Sequence, residues 1–180
     1  MTSPTIVLDQ LTSSADVTPS RLRRLAECWA EVTNAGGAAG FPFPPVELAR
    51  VRPVLDALVD SLAPATSRLL TASVKGELAG WLNVRRDPFA LIAHWGTVHH
   101  VQTRTALRGQ GVGAALMHEV RRIARDEMGL EQLHLAARGG EGLEDFYGRL
   151  GWKEAGRWPG ALRLSAGDDR DEILMLLAPL

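Results

Sequence analysis

One turn constrains this chain more than any other stretch: Leu107-Arg108-Gly109-Gln110-Gly111-Val112-Gly113-Ala114-Ala115-Leu116, where a β-forming run gives way to a helix. Glycines at alternate positions let a backbone approach a ligand without Cβ interference, and the first amides of a helix have no intrahelical acceptor. Such a nest suits a phosphate. The partial positive charge of the helix start favours an anion there, and Arg108 adds a full charge at the entrance. An ordinary flexible loop is the competing reading, weakened because both flanks carry the strand and helix patterns that a ligand-binding turn requires.

Two better-known phosphate turns fit poorly. A Walker loop needs Lys followed by Ser or Thr after its last glycine, where this chain has Ala114 and Ala115. Gly109, Gly111 and Ala114 satisfy the letters of a dinucleotide fingerprint, but Arg104 to Arg108 separate the strand from the first glycine, and most of the chain lies upstream. The acidic ribose ligand is also missing, since the next strand ends in Ala136-Ala137-Arg138.

The rest of the chain reads as an α/β protein with one mixed sheet, most simply a single domain over 1–180. Thr5 to Leu11 is an expected strand, and Thr18-Pro19 an N-cap opening a helix with apolar positions Leu22, Leu25, Ala26, Trp29 and Val32. A small-residue loop, 34–40, leads past Phe41 and Phe43 to a second helix with the stripe Leu48, Val51, Leu55, Leu58 and Leu62, in which Pro53 marks a kink or restart. An antiparallel meander follows: Leu69 to Val74, Leu78 to Arg86, and Leu91 to Thr103. Beyond the glycine turn, a helix with Leu116, Val120, Ile123 and Ala124 on one face runs to Gly129. Strand Gln132 to Ala137, helix Glu141 to Leu150 and two last strands, Lys153 to Arg157 and Glu172 to Ala178, complete the order. Those last strands flank a loop containing Pro159-Gly160 and the acids Asp168, Asp169 and Asp171, read as a solvated hairpin.

Composition removes several function classes. A net charge of −1 carries no polyelectrolyte signal, so neither nucleic acid nor an anionic membrane is an expected partner. Cys28 is the only cysteine, which excludes an internal disulfide and a cysteine-based metal cluster, and no metal is expected. Its thiol is expected at the edge of a helix. The start of the chain lacks a basic region followed by a long apolar core, so a cytoplasmic location is the default expectation.

Arg108-x-x-Gly111-x-Gly113-Ala114 resembles the acetyl-CoA signature of the GNAT superfamily of N-acetyltransferases. A second segment supports it: Phe146-Tyr147-Gly148-Arg149-Leu150-Gly151-Trp152 resembles the family's later helix-to-strand segment. The resemblance implies the GNAT acyl-CoA N-acyltransferase fold, with an antiparallel N-terminal half and a β-α-β-α-β-β C-terminal half, and it implies acetyl-CoA as cofactor. It also implies that backbone groups of Val101, Gln102 and Thr103 pair with the pantetheine arm as an added strand, while Arg108, Gly109, Gln110, Gly111, Val112, Gly113 and Ala114 hold the pyrophosphate. Arg104 is a second candidate for a phosphate contact. Gly139-Gly140 stand where the family often has Asn.

Acetyl transfer from a thioester to an amine needs a neutral amine, stabilisation of a developing oxyanion and a proton for the departing thiolate. Strand alternation puts Thr97, His99, Val101 and Thr103 on one face and His100 on the other. His99 is the candidate base, at a position where family members carry a titratable residue; a hydrogen-bonded strand histidine is the alternative. His94, His100, His118 and His134 are expected to be structural or exposed. Tyr147 sits where the family's general acid lies, although Leu143, Phe146, Tyr147 and Leu150 also share a helical face as core residues would.

Within the family the pattern most resembles that of the tabtoxin-resistance acetyltransferase, in the loop Thr33 to Phe41 and in Leu133-His134-Leu135 and Pro159-Gly160. That resemblance implies a compact, amino-acid-like or antibiotic-like amine as acceptor, with Phe41 and Phe43 as candidate lining. The relative's two working carboxylates fall at Thr97 and Ala136. Two alternatives stay open: a peptide or protein N-terminus as acceptor, and a non-catalytic acyl-CoA-binding sensor or interaction domain. A homodimer is compatible with the sequence, which marks no interface.

Overall fold

The computed structural model describes residues 5–37, 40–41 and 44–180. Among them the order is β1 (Ile6–Leu11), α1 (Pro19–Asn34), α2 (Leu48–Asp60), β2 (Ser67–Val74), β3 (Glu77–Arg86), β4 (Trp95–Thr103), α3 (Val112–Asp126), β5 (Gln132–Arg138), α4 (Leu143–Arg149), β6 (Lys153–Ser165) and β7 (Asp168–Leu177). The strands form one sheet in the order β1-β2-β3-β4-β5-β7-β6. Every neighbouring pair is antiparallel except β4 with β5, the pair joined through α3.

Local chemistry accounts for the elements that carry the site. Thr18 Oγ1 accepts from the Arg21 amide at 3.2 Å with Pro19 in the first helical turn, which fixes the start of α1. The β2–β3 hairpin turns on Lys75 and Gly76, both in the left-handed region (φ +53° and +81°), which matches the twist of the flanking strands. α3 and α4 cover one face of the sheet, with Leu116 and Ile123 of α3 sealed against Leu70, Leu82, Leu133 and Ile173 of the strands. α1 and α2 cover the first strands on the other face over Leu11, Leu25, Trp29, Leu55, Leu69 and Trp81. Sealing a Leu or Ile in this way contributes roughly 1.5–3 kcal/mol.

The structure corrects several expectations. The strand expected from Leu91 starts at Trp95. Asp87 Oδ1 takes the Phe89 amide at 2.8 Å, and Ile92 and Trp95 donate to Phe89 O and Ile92 O, so local turns satisfy this backbone and leave Leu91 74% exposed. α2 runs through Pro53 without a restart; Leu48 at its first turn is exposed, and Leu62 is buried just past its end. The helix expected from Glu141 begins at Leu143. In place of two short strands about a loop there is a long β6–β7 hairpin. Pro159 sits in β6, the outermost strand, where a missing N–H removes no ladder bond on the free side, and the register slips between Trp158 and Leu162. The acids of this hairpin are neutralised within it, Asp169 by Arg163, Asp171 by Arg157 and Asp168 by Arg170. Cys28 is wholly buried, not at an edge, with Sγ 3.9 Å from Gln102 Oε1, and burial pushes its thiol up to about 12. No helix among the described residues is long and apolar enough to cross a membrane.

Candidate active site

The site is built around an irregularity in β4. Trp81 pairs with Gln102 and Asn83 with His99, so the single residue Leu82 faces both His100 and Val101. His100 takes up the extra residue in the left-handed region (φ +56°), a β-bulge. Close approach is needed here: a Cβ on Gly80 would lie 2.3 Å from Gln102 O.

The bulge resets the faces predicted from alternation. Val98 and Val101 both join the core under α3, although they are three residues apart. His99 lies opposite Asn83, and the His100 ring packs against Trp29 at 4.6 Å and Trp81 at 6.0 Å, which puts both histidines on the α1 side. His99 therefore does not share a face with Val101 and Thr103. The Gln102 side chain is buried toward α1, so its main chain is what it can offer a ligand.

The parallel ladder between β4 and β5 lasts only from Trp95↔Gln132 to Thr97↔His134. Beyond it the strands diverge around a cleft of about 730 Å³ lined by 97–103, 135–137, the glycine turn and α4. Between 98 and 103 the β5-facing main chain of β4 has no strand partner among the described residues, which is an edge that can accept an extended ligand.

One end of the cleft is the glycine turn. After a 3₁₀ turn at Thr105–Leu107, Gly109 (φ +74°) and Gly111 (φ +85°) are left-handed, and Gly111 caps α3. The first intrahelical bond runs from the Ala115 amide to Gly111 O at 2.9 Å, leaving the amides of Val112, Gly113 and Ala114 free of helical acceptors. Gly113 is small for a different reason: a Cβ there would sit 3.2 Å from Phe146 Cζ and 3.6 Å from Thr103 Oγ1, so it lets α3, α4 and β4 meet. Gln110 donates to Ala106 O at 3.4 Å and braces the turn. Arg108 lines the cleft, with Nη2 above Gly37. Arg104 is held by Glu31 at 2.7 Å and is thereby tied to α1. Arg149 of α4, not singled out from sequence, also lines the cleft; its signal was its place two residues after Tyr147.

Tyr147 is 6% exposed, packs against Phe146 and Trp152, and lines the cleft. It is a core residue and a cleft residue at once. Burial raises its pKa, so the phenol keeps its proton at neutral pH. Across the cleft His99 is half-buried and its pKa is lowered, first by burial and then by Arg85. His100 is pushed down to about 4 by burial, then by His99 and Arg85. Both imidazoles are therefore neutral at pH 7, each with one unprotonated ring nitrogen. His100, expected to be structural, lines the same cleft as His99. His134 stacks on Trp95 at 4.2 Å, and His94 and His118 are exposed.

The described residues of the α1–α2 loop border the cleft on its α1 side, with Gly40 against the His100 ring and Gly37 beneath Arg108. Gly36, Gly37 and Gly40 line the cleft, and Arg138 Nη2 donates to Gly36 O at 2.6 Å, strapping the loop to the end of β5. Thr97 and Ala136 also line the cleft. The Phe41 ring meets Trp29 edge-on at 4.9 Å and packs into the α1-side core; Phe43 lies outside the described residues.

The sequence profile of the acetyltransferase (GNAT) family matches residues 30–152. No curated protein sequence matches the chain. Solved structures share the fold at low identity. A protein described as a phosphinothricin N-acetyltransferase superposes with a TM-score of 0.77 at 18% identity, covering 97% of this chain and 98% of that one. The ribosomal-protein-alanine N-acetyltransferase of Brucella melitensis gives 0.70 at 19%, covering 96% and 99%. A Salmonella typhimurium protein described as an acetyltransferase, solved with its cofactor acetyl-CoA, gives 0.71 at 16%, covering 97% and 94%.

Proposed function

The chain belongs to the GNAT acetyltransferase family, whose cofactor is acetyl-CoA, and from that premise we propose that it is a single-domain enzyme acetylating the primary amine of a compact small molecule by direct attack in a ternary complex. The observation that carries the reading is the divergence of β4 from β5 after Thr97↔His134, which leaves an unpaired main-chain edge running toward the free amides at the start of α3. The residues present fit the cofactor. The edge at Val101, Gln102 and Thr103 suits the amides of an extended pantetheine arm. The turn from Gly109 to Ala114, with Arg108 beside it, suits a pyrophosphate.

Bound acetyl-CoA supplies an acyl group activated as a thioester. The chain supplies proton management and exclusion of water. His99, neutral at pH 7, takes a proton from the acceptor amine at its free ring nitrogen. Tyr147, protonated at Oη, holds the proton for the departing thiolate. Neither step needs a covalent bond to the protein, and Cys28, the only cysteine, is buried away from the cleft with its thiol protonated. A small acceptor is favoured by the Arg138–Gly36 strap, which ties loop residues across the α1 side of the cleft, where the amine would enter. Among the fold's neighbours, the protein described as a phosphinothricin N-acetyltransferase is named for a small-molecule acceptor.

Calorimetry with acetyl-CoA, followed by thiol release against amines graded in size from amino acids to peptides, tests this reading. The expected result is binding, turnover of compact amines, and loss of turnover in His99→Ala. Binding with no turnover of any amine would sink the small-amine assignment, and preferred turnover of peptide N-termini would replace the acceptor.

A further inference from the structure

The face of β1 and β2 that carries α1 is sealed at one end and open at the other. At Leu11↔Leu69 both side chains are buried in the core under the helix. Alternation returns to the same face at Asp9↔Thr71 and Val7↔Ser73, but there Val7 is 59% exposed and the two hydroxyl residues are half-buried. The helix brings Arg21 and Arg24 to these rows, and guanidinium groups cannot close an apolar seam. The result is a second cavity of about 390 Å³, which includes buried Leu11, Leu25 and Leu78 and shares no lining residue with the acetyl-transfer cleft.

The charges in this cavity do not balance. Asp9 is its one carboxylate among the described residues, and both oxygens are engaged: Oδ2 takes Arg21 Nη2 at 2.7 Å and Oδ1 the Gln10 amide at 3.0 Å. Arg21 is held by that pair and by Asp16 O at 3.3 Å. Arg24 has no hydrogen bond or ion pair among the described residues, and the hydroxyls of Thr71 and Ser73 have no hydrogen-bond partner there either. An uncompensated guanidinium, two available hydroxyls and three leucines in one cavity are complementary to a carboxylate carried on an apolar body. We propose that this cavity is a second ligand site, for a compact organic monocarboxylate. Its volume lies toward the lower end of the range of small-molecule sites, about 300–1,000 Å³. An inorganic anion would leave the leucines in water, and an amine would face the charge of Arg24.

The probe is 3-phenylpropionate, titrated into the full chain and followed by amide shifts in heteronuclear NMR. Shifts should gather at residues 7–11, 21–25 and 71–78 and leave 98–103 and 109–114 unmoved. Replacing the probe by 3-phenylpropanamide, which keeps the shape without the charge, should weaken binding by about 10- to 100-fold, and so should Arg24→Gln. Val7→Glu is a second variant, at an exposed position where a negative charge repels the ligand, and should weaken binding about three- to fivefold. Equal affinity for the acid and the amide, unaltered binding in Arg24→Gln, or shifts confined to the cleft would each overturn the site. Shifts at the same amides that appear with protein concentration alone would give the cavity to a second copy of the chain and overturn it as well.

Discussion

Toward β7, β5 is paired continuously from Leu133↔Leu177 to Arg138↔Glu172; toward β4, pairing stops at Thr97↔His134. The same strand thus has one closed edge and one open edge, and its own β-forming character cannot be the cause. The difference lies in the partner. β7 reaches the end of β5 without a register shift, whereas β4 carries an extra residue at His100, and a bulge bends and twists its strand. The closed edge sets Leu133, Leu135, Ile173 and Met175 into the core beneath α3 and α4. The open edge leaves backbone donors and acceptors that a ligand or water must satisfy.

The largest effect expected from disturbing the open side is chemical. Tyr147→Phe keeps the ring packed against Phe146 and Trp152 but removes the proton, and should lower kcat for thiol release by about 10²–10³-fold with acetyl-CoA affinity unchanged. An unaltered kcat would remove Tyr147 from the mechanism. Next, hydrogen exchange compares the two edges directly. Amides of 98–103 that point toward β5 should slow by about 100-fold when acetyl-CoA is added, while those shared by β5 and β7 change little. Equal responses on both edges would mean that the cofactor does not lie along β4.

A smaller effect is expected at the turn. Gly111→Val forces a β-branched side chain into the left-handed region and should weaken acetyl-CoA binding about tenfold by calorimetry. Gly129→Val, equally left-handed (φ +62°) but at the far end of α3, serves as control and should lower Tm without altering affinity.

The smallest effect is on stability. The ordinary pKa of His100 is 6.5 and the folded value is about 4, so between these the unfolded chain binds the extra proton. The contribution is complete above pH 6.5, declines as pH falls toward 4 and changes no further below that. It amounts to at most about 3 kcal/mol, less any relief from partial exposure. Denaturant midpoints across that window should fall less in His100→Gln than in wild type; parallel curves would remove His100 as the cause.

Much of this architecture was legible in the chain. Thr18-Pro19 and the stripe from Leu25 to Val32 marked α1, and the glycines marked the cap of α3, because caps and helical spacing are local. The bulge was the critical omission. Strict alternation assigns faces by parity and has no place for an inserted residue, so it split His99 from His100. The signal was present: Val98 and Val101 are three apart with two histidines between them, a spacing that keeps both valines in one core only if one residue is extra. The start of β4 was expected too early because Leu91 and Ile92 look β-forming, while the turn bonds around Phe89 depend on the neighbouring loop geometry. The Arg138 strap and the Asn83 amide join residues far apart in the chain, Arg138 to Gly36 and Asn83 to Ser67 and Arg68, a kind of contact that no periodicity records.

The open edge of β4 has a consequence for how such a protein can diversify. If the pantetheine arm is gripped by peptide groups, the identity of the side chains along that segment is nearly irrelevant to holding it, and positions such as Thr97, His99 and His100 are released to evolve toward a new acceptor. Retention of the cofactor and novelty of substrate then become separable traits, written in the backbone and in the side chains of one and the same strand.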